Sequence, residues 1–183
     1  MKQHIMLDLE TVGTGDGAGI MQIGAVVFDA SGVSTSYRFK ADIDPGSPGF
    51  GETETGTLLW WLKQDPQAIA SVFHADDRSE LEETLVSFSA WMKGHAHSGV
   101  WACGPNFDCR LLNQAYARVG VSSPLRYGRE RCFRTLRGIG EGLGLAQPPF
   151  DGVVHDALAD AVFQATYAST VLSALSEIKL EPA

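Results

Sequence analysis

Four acidic residues and one histidine are the candidates for chemistry in this 183-residue sequence. They are Asp8, Glu10, Asp108, His155 and Asp160. Carboxylate oxygens are hard ligands that suit Mg²⁺ or Mn²⁺, and four carboxylates match the charge of two divalent ions. Two such ions can stabilise the attacking and the leaving oxygen of a phosphodiester displacement. His155 adds a base that is neutral near pH 7 and can take a proton from an attacking water.

Each carboxylate has a simpler explanation when it is taken alone. Asp8 and Glu10 lie two apart, so on a strand they share one face, which would suit a solvated acidic edge. The apolar neighbours of Asp8 favour a buried strand instead. An acid such as Asp108 also favours the start of a helix, although Asn106 is the better candidate for the N-cap. The four carboxylates together are therefore more specific than any one of them.

His155 and Asp160 converge on one site only if a helix begins between them. Five residues along one continuous helix rotate a side chain by about 140°, which places the two residues on different faces. Asp156 is a plausible N-cap for a helix that starts directly after it, and His155 would then lie in the preceding loop. We therefore expect Asp156 to cap the helix rather than to bind a metal. A surface position is the simpler alternative for His155.

Hydrophobic spacing and turn residues predict the elements that position these side chains. We expect strands at 5–9, 20–29, 33–41 and 100–103, a loop over 44–56, and helices at 57–63, after 66, and at 79–92, 106–119, 131–139 and 156–175. Three successive strands, followed by helices that alternate with strands, predict an α/β fold. Its mixed sheet would join an antiparallel three-strand meander to parallel strands, with helices on both faces. A single domain would span residues 1–176, and residues 177–183 would form a C-terminal tail.

The charge balance limits how nucleic acid can be bound. The chain has 22 Asp and Glu against 14 Lys and Arg, a formal net charge of −8. This excludes a broad basic surface that wraps duplex DNA, but not an enzyme that holds a short stretch through bound cations. If nucleic acid is bound in this way, we expect only a few nucleotides to be held, with a weak salt dependence of binding.

The other composition features indicate a reducing compartment. Cys103, Cys109 and Cys132 are odd in number and form no C-x-x-C pair, so they predict neither a disulfide framework nor a zinc site. The first apolar run is too short for a signal peptide, and no stretch approaches the roughly 18 apolar residues of a membrane span. We expect a cytoplasmic protein that makes no contact with membranes.

Three segments resemble the motifs of a known enzyme family. They are Asp8-x-Glu10-Thr11, the N-F-D segment that ends at Asp108, and H-D-A-L-A-D from His155 to Asp160. In this order they resemble the DEDDh group of DnaQ-like 3′–5′ exonucleases, which have a ribonuclease H-like fold. The His-x-x-x-x-Asp spacing marks the branch that uses His rather than Tyr. The resemblance implies that the four carboxylates hold two divalent cations, Mg²⁺ or Mn²⁺, and that His155 is the general base.

Further segments resemble a subgroup of small bacterial and phage exonucleases, similar to the mycobacterial 3′–5′ exoribonuclease domain. They are T-x-x-W-W-x-x-Q at 57–64, V-W-A-C-G-P-N-F-D at 100–108 and R-C-F-R-T-L at 131–136. We expect substrate contacts from Thr11, Val12, Trp60, Asn106, Arg131 and Arg134. Adjacent tryptophans cannot share a helix face, so Trp61 would lie in the core and Trp60 would be free to stack on a base. The alternatives are that both rings are packed, and that the two arginines pair with surface acids.

The resemblance implies a 3′–5′ exonuclease that acts on the 3′ end of single-stranded RNA or DNA and releases nucleoside 5′-monophosphates. Two alternatives stay open, an endonuclease of this fold and a non-catalytic nucleotide-binding module of this fold. The module would have no use for a base at His155. The resemblance is also compatible with a homodimer, and the sequence does not choose between RNA and DNA.

Overall fold

One mixed sheet organises the part of the chain that the structure describes. The structure is a computed structural model, and it describes residues 2–178. The strands are β1 His4–Thr11, β2 Ile20–Asp29, β3 Gly32–Ile43, β4 Arg78–Ser79, β5 Val100–Ala102 and β6 Glu130–Cys132. The helices are α1 Thr55–Trp61, α2 Pro66–Phe73, α3 Leu81–Gly94, α4 Asp108–Val119, α5 Phe133–Gly142 and α6 Ala157–Glu177.

The strand order across the sheet is β4-β3-β2-β1-β5-β6. The pairs β1–β2 and β2–β3 are antiparallel and form the predicted meander, while β1–β5 and β5–β6 are parallel. Because β1 and β5 run in the same direction, the segments that follow these strands leave the sheet at the same end, where the carboxyl ends of both strands lie. The predicted mixed sheet is therefore confirmed. Its parallel strands bring together the two segments that follow β1 and β5.

Helices cover both faces of the sheet, as predicted. Leu7 and Ile23 pack on one face with a cluster that includes Leu112 of α4. Met6 packs on the other face with residues of α5 and α6, including Tyr167. Since residues two apart on a strand share a face, the positions that follow Met6 in this alternation point towards α6.

The start of α6 is fastened closely to the meander. Gly24 of β2 lies so near α6 that a Cβ there would come within 2.1 Å of the carbonyl carbon of Ala157. The buried side chain of Gln22 accepts a hydrogen bond from the N–H of Ala157 at 3.2 Å and donates to Asp42 Oδ1 at 2.6 Å. These contacts fix where the helix begins relative to the central strands.

The structure corrects some predicted elements. The segment 131–136, predicted as the start of a helix, begins with β6, so Arg131 lies on a strand and α5 starts only at Phe133. The sequence also gave no indication of β4, which has only two residues. Glu177 closes α6, and residues 179–183 of the predicted tail lie outside the described residues. Among the described residues, no helix is both long and apolar enough to cross a membrane.

Candidate active site at the end of strand β1

Asp8 and Glu10 lie on the face of β1 that α6 covers. Glu10 is buried and Asp8 is partly exposed. The register with β2 shifts between Glu10 and Thr11, so the strand is irregular directly after the second carboxylate. From α6, Gln164 Nε2 donates to Asp8 Oδ1 at 2.8 Å and fixes one oxygen of that carboxylate.

Asp108 is the first residue of α4 and is buried. The turn after β5 delivers it to the end of the sheet where β1 also ends. In this turn Gly104 has φ +142°, a backbone conformation that favours glycine. The N-cap position of α4 is Phe107, so the expected N-cap Asn106 is wrong, and no side chain caps this helix. The carboxylate of Asp108 lies close enough to the backbone N–H of Leu9 for that group to lower its pKa, which places the start of α4 beside β1.

His155 lies in the loop before α6, as the spacing to Asp160 required. Its φ is +63°, the left-handed region, which is uncommon for a residue with a side chain. The backbone N–H of His155 donates to Asp160 Oδ2 at 2.8 Å, which holds this conformation. Asp156 is the N-cap, as predicted, and accepts from the N–H groups of Leu158 and Ala159. Ligand atoms of Glu10, His155 and Asp160 all lie within 4.8 Å of one another.

The carboxylates are close enough to raise one another's pKa. Burial raises the pKa of Asp8 well above its ordinary value, and the charges of Asp108, Glu10 and Asp160 raise it further. Burial followed by the charges of Asp160 and Asp108 does the same for the pKa of Glu10. Burial raises the pKa of Asp108 to about 7, and that of Asp160 to about 6. Burial therefore opposes the ionisation of all four acids, and the neighbouring carboxylates add to this at Asp8 and Glu10.

A divalent cation fits this donor set. The four acids offer only oxygen ligands, and each carries a penalty for ionisation that a bound cation would remove. Within residues 2–178, Arg134 is the one cation whose charge lowers the pKa of Asp108. Hard oxygen donors favour Mg²⁺ or Mn²⁺ over zinc, which prefers thiolate and imidazole ligands. His155 is the neighbouring nitrogen donor, and burial lowers its pKa, so its ring is neutral at pH 7.

An aromatic cleft of about 420 Å³ opens beside the carboxylates; its lining includes Glu10, Thr11, Thr57, Trp60, Trp61 and Phe107. Trp61 is 3% exposed and donates from Nε1 to the Thr11 carbonyl at 2.9 Å, whereas Trp60 is 44% exposed. The predicted division between a packed and an exposed tryptophan is therefore confirmed. The ring of His155 lies edge-on to both, with centroids at 5.0 Å from Trp60 and 5.7 Å from Trp61.

The other expected substrate contacts divide into two groups. Thr11 lines the aromatic cleft, and its hydroxyl donates to the Gly13 carbonyl at 2.7 Å. Asn106 is exposed on the turn before α4 and lines a neighbouring cavity of about 360 Å³. Val12, by contrast, is buried in the core cluster on the α1–α4 face and does not line the cleft.

The structure separates the two arginines that the sequence placed near the site. Arg134 of α5 lies beside Gly104, where a Cβ would meet its Nη2 at 2.9 Å, and its charge acts on Asp108. Arg131 donates to the carbonyls of Gly128 and Glu130 and lies close enough to His4 to lower that pKa. His4 begins β1 and Asp8 follows four residues later, so Arg131 lies away from the carboxylates.

Sequence reasoning missed Gln164. It lies one turn after Asp160 on α6, and residues four apart on a helix share a face, so its spacing was the available indication. The side chain is buried, and its Oε1 has no hydrogen-bond partner among the described residues. A buried amide with one satisfied and one unsatisfied atom beside Asp8 is a feature that invites a functional explanation.

Comparison with known proteins gives a consistent result for fold and family. The model of the family described as the 3′-5′ exoribonuclease Rv2179c-like domain matches residues 3–172. A curated exodeoxyribonuclease of Enterobacteria phage T4 is 23% identical over 120 residues, which cover 58% of this chain and 52% of that protein. The chain thus spans about half the length of this curated relative.

Solved structures with low identity share the fold. The nuclease domain of 3′hExo, a DEDDh family member bound to rAMP, has a TM-score of 0.64 at 14% identity, with 99% of this chain and 96% of that chain covered. Exonuclease I of E. coli in complex with a dT13 oligonucleotide has a TM-score of 0.68 at 14% identity, covering 93% of this chain and 41% of that chain. The predicted ribonuclease H-like fold of the DEDDh exonucleases is therefore confirmed.

Proposed function

The chain belongs to the family of 3′-5′ exoribonuclease Rv2179c-like domains, and from this membership we propose that it is a metal-dependent 3′–5′ exonuclease. It would hydrolyse phosphodiester bonds at the 3′ end of single-stranded RNA or DNA and release nucleoside 5′-monophosphates. Asp8, Glu10, Asp108 and Asp160 would hold two divalent cations, and His155 would be the general base.

The observation that carries this proposal is the convergence of four carboxylates and one imidazole from three separate segments. The segments are β1, the start of α4 and the start of α6. Burial raises the pKa values of all four acids, and the charges of the neighbouring carboxylates raise those of Asp8 and Glu10 further. Such an arrangement costs stability unless a cation is bound, so a role in binding explains it better than a role in folding.

Bound divalent cations would stabilise the charge that develops on the attacking and leaving oxygens. The protein's own contribution begins with His155, whose neutral ring can accept a proton from the attacking water. Asp160 accepts the backbone N–H of His155 and so holds the loop that carries this ring. Trp60 and Trp61 pack edge-on against the imidazole, which limits its rotation.

The aromatic cleft is the proposed seat of the terminal nucleotide. The exposed face of Trp60 can stack on a base of any identity, as aromatic side chains do in proteins that bind single strands. The structural neighbours were solved with rAMP and with a dT13 oligonucleotide, so related folds accommodate a ribonucleotide and a single DNA strand. This supports single-stranded ends as substrate and does not favour RNA over DNA.

The direct test is stepwise shortening of a 5′-labelled single-stranded oligonucleotide in the presence of Mn²⁺ or Mg²⁺. We expect a ladder of shortened products and nucleoside 5′-monophosphates, with no reaction in EDTA. Asp8→Ala should abolish shortening, while Asp77→Asn, which removes an exposed acid that does not line the aromatic cleft, should not. Undiminished activity of Asp8→Ala, or activity in EDTA, would refute the mechanism.

Substrate variation separates the alternatives. A panel of single- and double-stranded RNA and DNA establishes the preferred substrate. Cleavage of a circular single strand would identify an endonuclease, because a circle offers no 3′ end. Binding of a nucleoside 5′-monophosphate without turnover of any oligonucleotide would identify a binding module.

A further inference from the structure

A second charged region lies at the opposite end of the sheet from the carboxylates. It is a cavity of about 440 Å³ between the end of α3, the start of β5 and the loop that follows α4. Five basic or titratable side chains line it: Lys93, His95, His97, Arg126 and Arg129. We call this cavity the basic pocket.

The positive charge of the basic pocket is not neutralised within the protein. None of the described residues that line it is acidic. Among residues 2–178, Lys93, Arg126 and Arg129 form no ion pair. In a chain with 22 acids and 14 bases, a group of cations without carboxylate partners departs from an ordinary surface.

The donors of the basic pocket are free to bind an anion. His95 Nδ1 is 2.6 Å from the Trp91 carbonyl, and His97 Nδ1 is 2.9 Å from the His95 carbonyl. Because a carbonyl only accepts, each ring donates from Nδ1, and Nε2 of a neutral ring is then an acceptor, so the donors left for an anion come from Lys93, Arg126 and Arg129. Arg129 commits Nη1 to the Ser98 carbonyl at 3.2 Å, which orients its guanidinium at the edge of the cavity.

An aromatic side chain stands between the two arginines. The loop reads Arg126-Tyr127-Gly128-Arg129, and Tyr127 is fully exposed, with a relative accessibility of 103%. An exposed ring flanked by cations matches the way proteins bind a single strand, where arginines contact phosphates and the ring stacks on a base. Gly128 has φ +75°, which lets the chain turn sharply after the ring.

Side-chain contacts along α4 link the basic pocket to the aromatic cleft. A cavity on α4 is lined by Asn106, Arg110, Asn113, Gln114 and the acid Glu130, and Arg110 pairs with Asp16. Arg110 Nη2 donates to the Thr14 carbonyl in the wall of the cleft at 3.1 Å. At the other end, Ser123 in the wall of the basic pocket donates to Asn113 Oδ1 at 2.6 Å. Helix α4 spans this interval, and its 12 residues correspond to about 18 Å.

We propose that the basic pocket and Tyr127 form a second contact for the substrate strand, with the cations on backbone phosphates upstream of the 3′ end and the tyrosine ring on a base. The proposal rests on the proposed function, because it takes the strand held in the aromatic cleft to continue along α4. It also explains how a protein with a net charge of −8 can hold a polyanion. The local field at this contact, not the total charge, attracts the strand.

The test measures the binding of labelled single strands by fluorescence anisotropy. EDTA is present so that no turnover occurs. One probe is a dinucleotide, and the other has about 12 nucleotides, within the range that single-strand-binding domains cover. Arg126→Ala/Arg129→Ala should weaken binding of the longer probe about tenfold and reduce its salt slope by about 1.4, because each phosphate contact contributes about 0.7. Tyr127→Ala should weaken it by a smaller factor, and none of these changes should affect the dinucleotide.

The matched control is Arg38→Ala/Arg137→Ala, which removes two positive charges at positions that line none of these three cavities. An equal loss in this control would show a net-charge effect and overturn the proposal. If the arginine variant binds the longer probe as the parent protein does, the proposal is overturned. This holds even if the variant loses affinity for phosphate or a nucleoside monophosphate. With Mn²⁺, the same variant should raise KM for the longer probe and leave kcat unchanged. If no oligonucleotide is turned over but the length-dependent loss persists, the exonuclease proposal fails and the second contact stands.

Discussion

The two ends of strand β1 lie in opposite electrostatic environments. At the end with Asp8 and Glu10, carboxylates from three segments converge, and burial and mutual repulsion raise their pKa values. At the end that begins with His4, the basic pocket gathers cations, and burial followed by positive charge lowers the pKa of that histidine. Each end holds like charges together without the opposite charge that would balance them.

This comparison shows why the net charge of the chain says little about its ligands. The value of −8 averages an acidic end and a basic end, and each would be more stable with a partner of the opposite sign. We propose a divalent cation as that partner at the acidic end, and a phosphate backbone as that partner at the basic end. Unbalanced charge that folding does not require is therefore the feature that links both proposals.

The same contrast appears within one turn of α6. Asp156 accepts hydrogen bonds from Lys40 and Ser71, and these outweigh its burial, so its pKa lies below the ordinary value. Among the described residues, the carboxylate of Asp160, four residues later, accepts a hydrogen bond only from the backbone N–H of His155. Burial raises its pKa to about 6. The first carboxylate is balanced within the fold, and the second is left for a ligand.

The largest effect that would test this contrast is loss of activity in Asp108→Asn. The amide keeps the shape of the side chain but removes a charged metal ligand, so turnover should fall by about 10³ or more. Circular dichroism should show an unchanged fold, because Asn has the same shape and removes a buried charge instead of adding one. Turnover within tenfold of the parent protein would mean that Asp108 is not part of the metal site.

A smaller effect is expected at Gln164, which acts on the acidic end through Asp8. Gln164→Ala should weaken metal binding and turnover by about 10–100-fold, the usual cost of losing a side chain that orients a metal ligand. Gln164→Asn is too short to reach Asp8 and should behave similarly. The measurement is the Mn²⁺ concentration for half-maximal activity, which should rise while activity at saturating Mn²⁺ partly recovers. An unchanged metal requirement would show that the residue only fills space.

The arrangement of the candidate site was predictable because the spacing of its residues carries physical meaning. The loop position of His155 followed from helix rotation and from Asp156 as the N-cap, and the structure has both. The same-face argument for Asp8 and Glu10 also holds, because alternation along a strand is independent of its neighbours. The mixed sheet followed from the order of strands and helices alone.

The remaining features depend on contacts between distant segments. Arg131 was expected beside Arg134 near the carboxylates. Instead Arg131 lies on β6, which begins at Glu130, and its side chain lies towards the basic end of the sheet. A three-residue strand has too little periodicity to be distinguished from the start of a helix. The basic pocket lies between α3 and the loop after α4. No local sequence pattern predicts that the cations of these two segments lie close together. Gln164 was missed because a glutamine is common on helices, and only the position of Asp8 gives it meaning.

The smallest predicted effect concerns the stability of the metal-free protein at different pH values. The unfolded chain releases the protons of aspartates near pH 4, whereas Asp160 and Asp108 in the folded protein keep them up to about pH 6 and 7. The folded state therefore binds more protons in this window, and the free energy of unfolding falls as pH rises through it. His4 and His155 oppose this trend, because burial lowers their pKa values.

A comparison of variants isolates the acidic end from these opposing groups. Asp108→Asn removes one of the repelling charges, so its melting temperature should exceed that of the parent protein by a few degrees at pH 8 and by less at pH 5. Asp156→Asn removes a charge that Lys40 balances, so it should not raise the melting temperature at pH 8. Saturating Mn²⁺ should stabilise the parent protein at pH 8 and should stabilise Asp108→Asn less, since the variant lacks one metal ligand. If Asp108→Asn and Asp156→Asn respond to pH and to Mn²⁺ in the same way, the proposed difference is refuted. Asp108 would then be no more a metal ligand than Asp156.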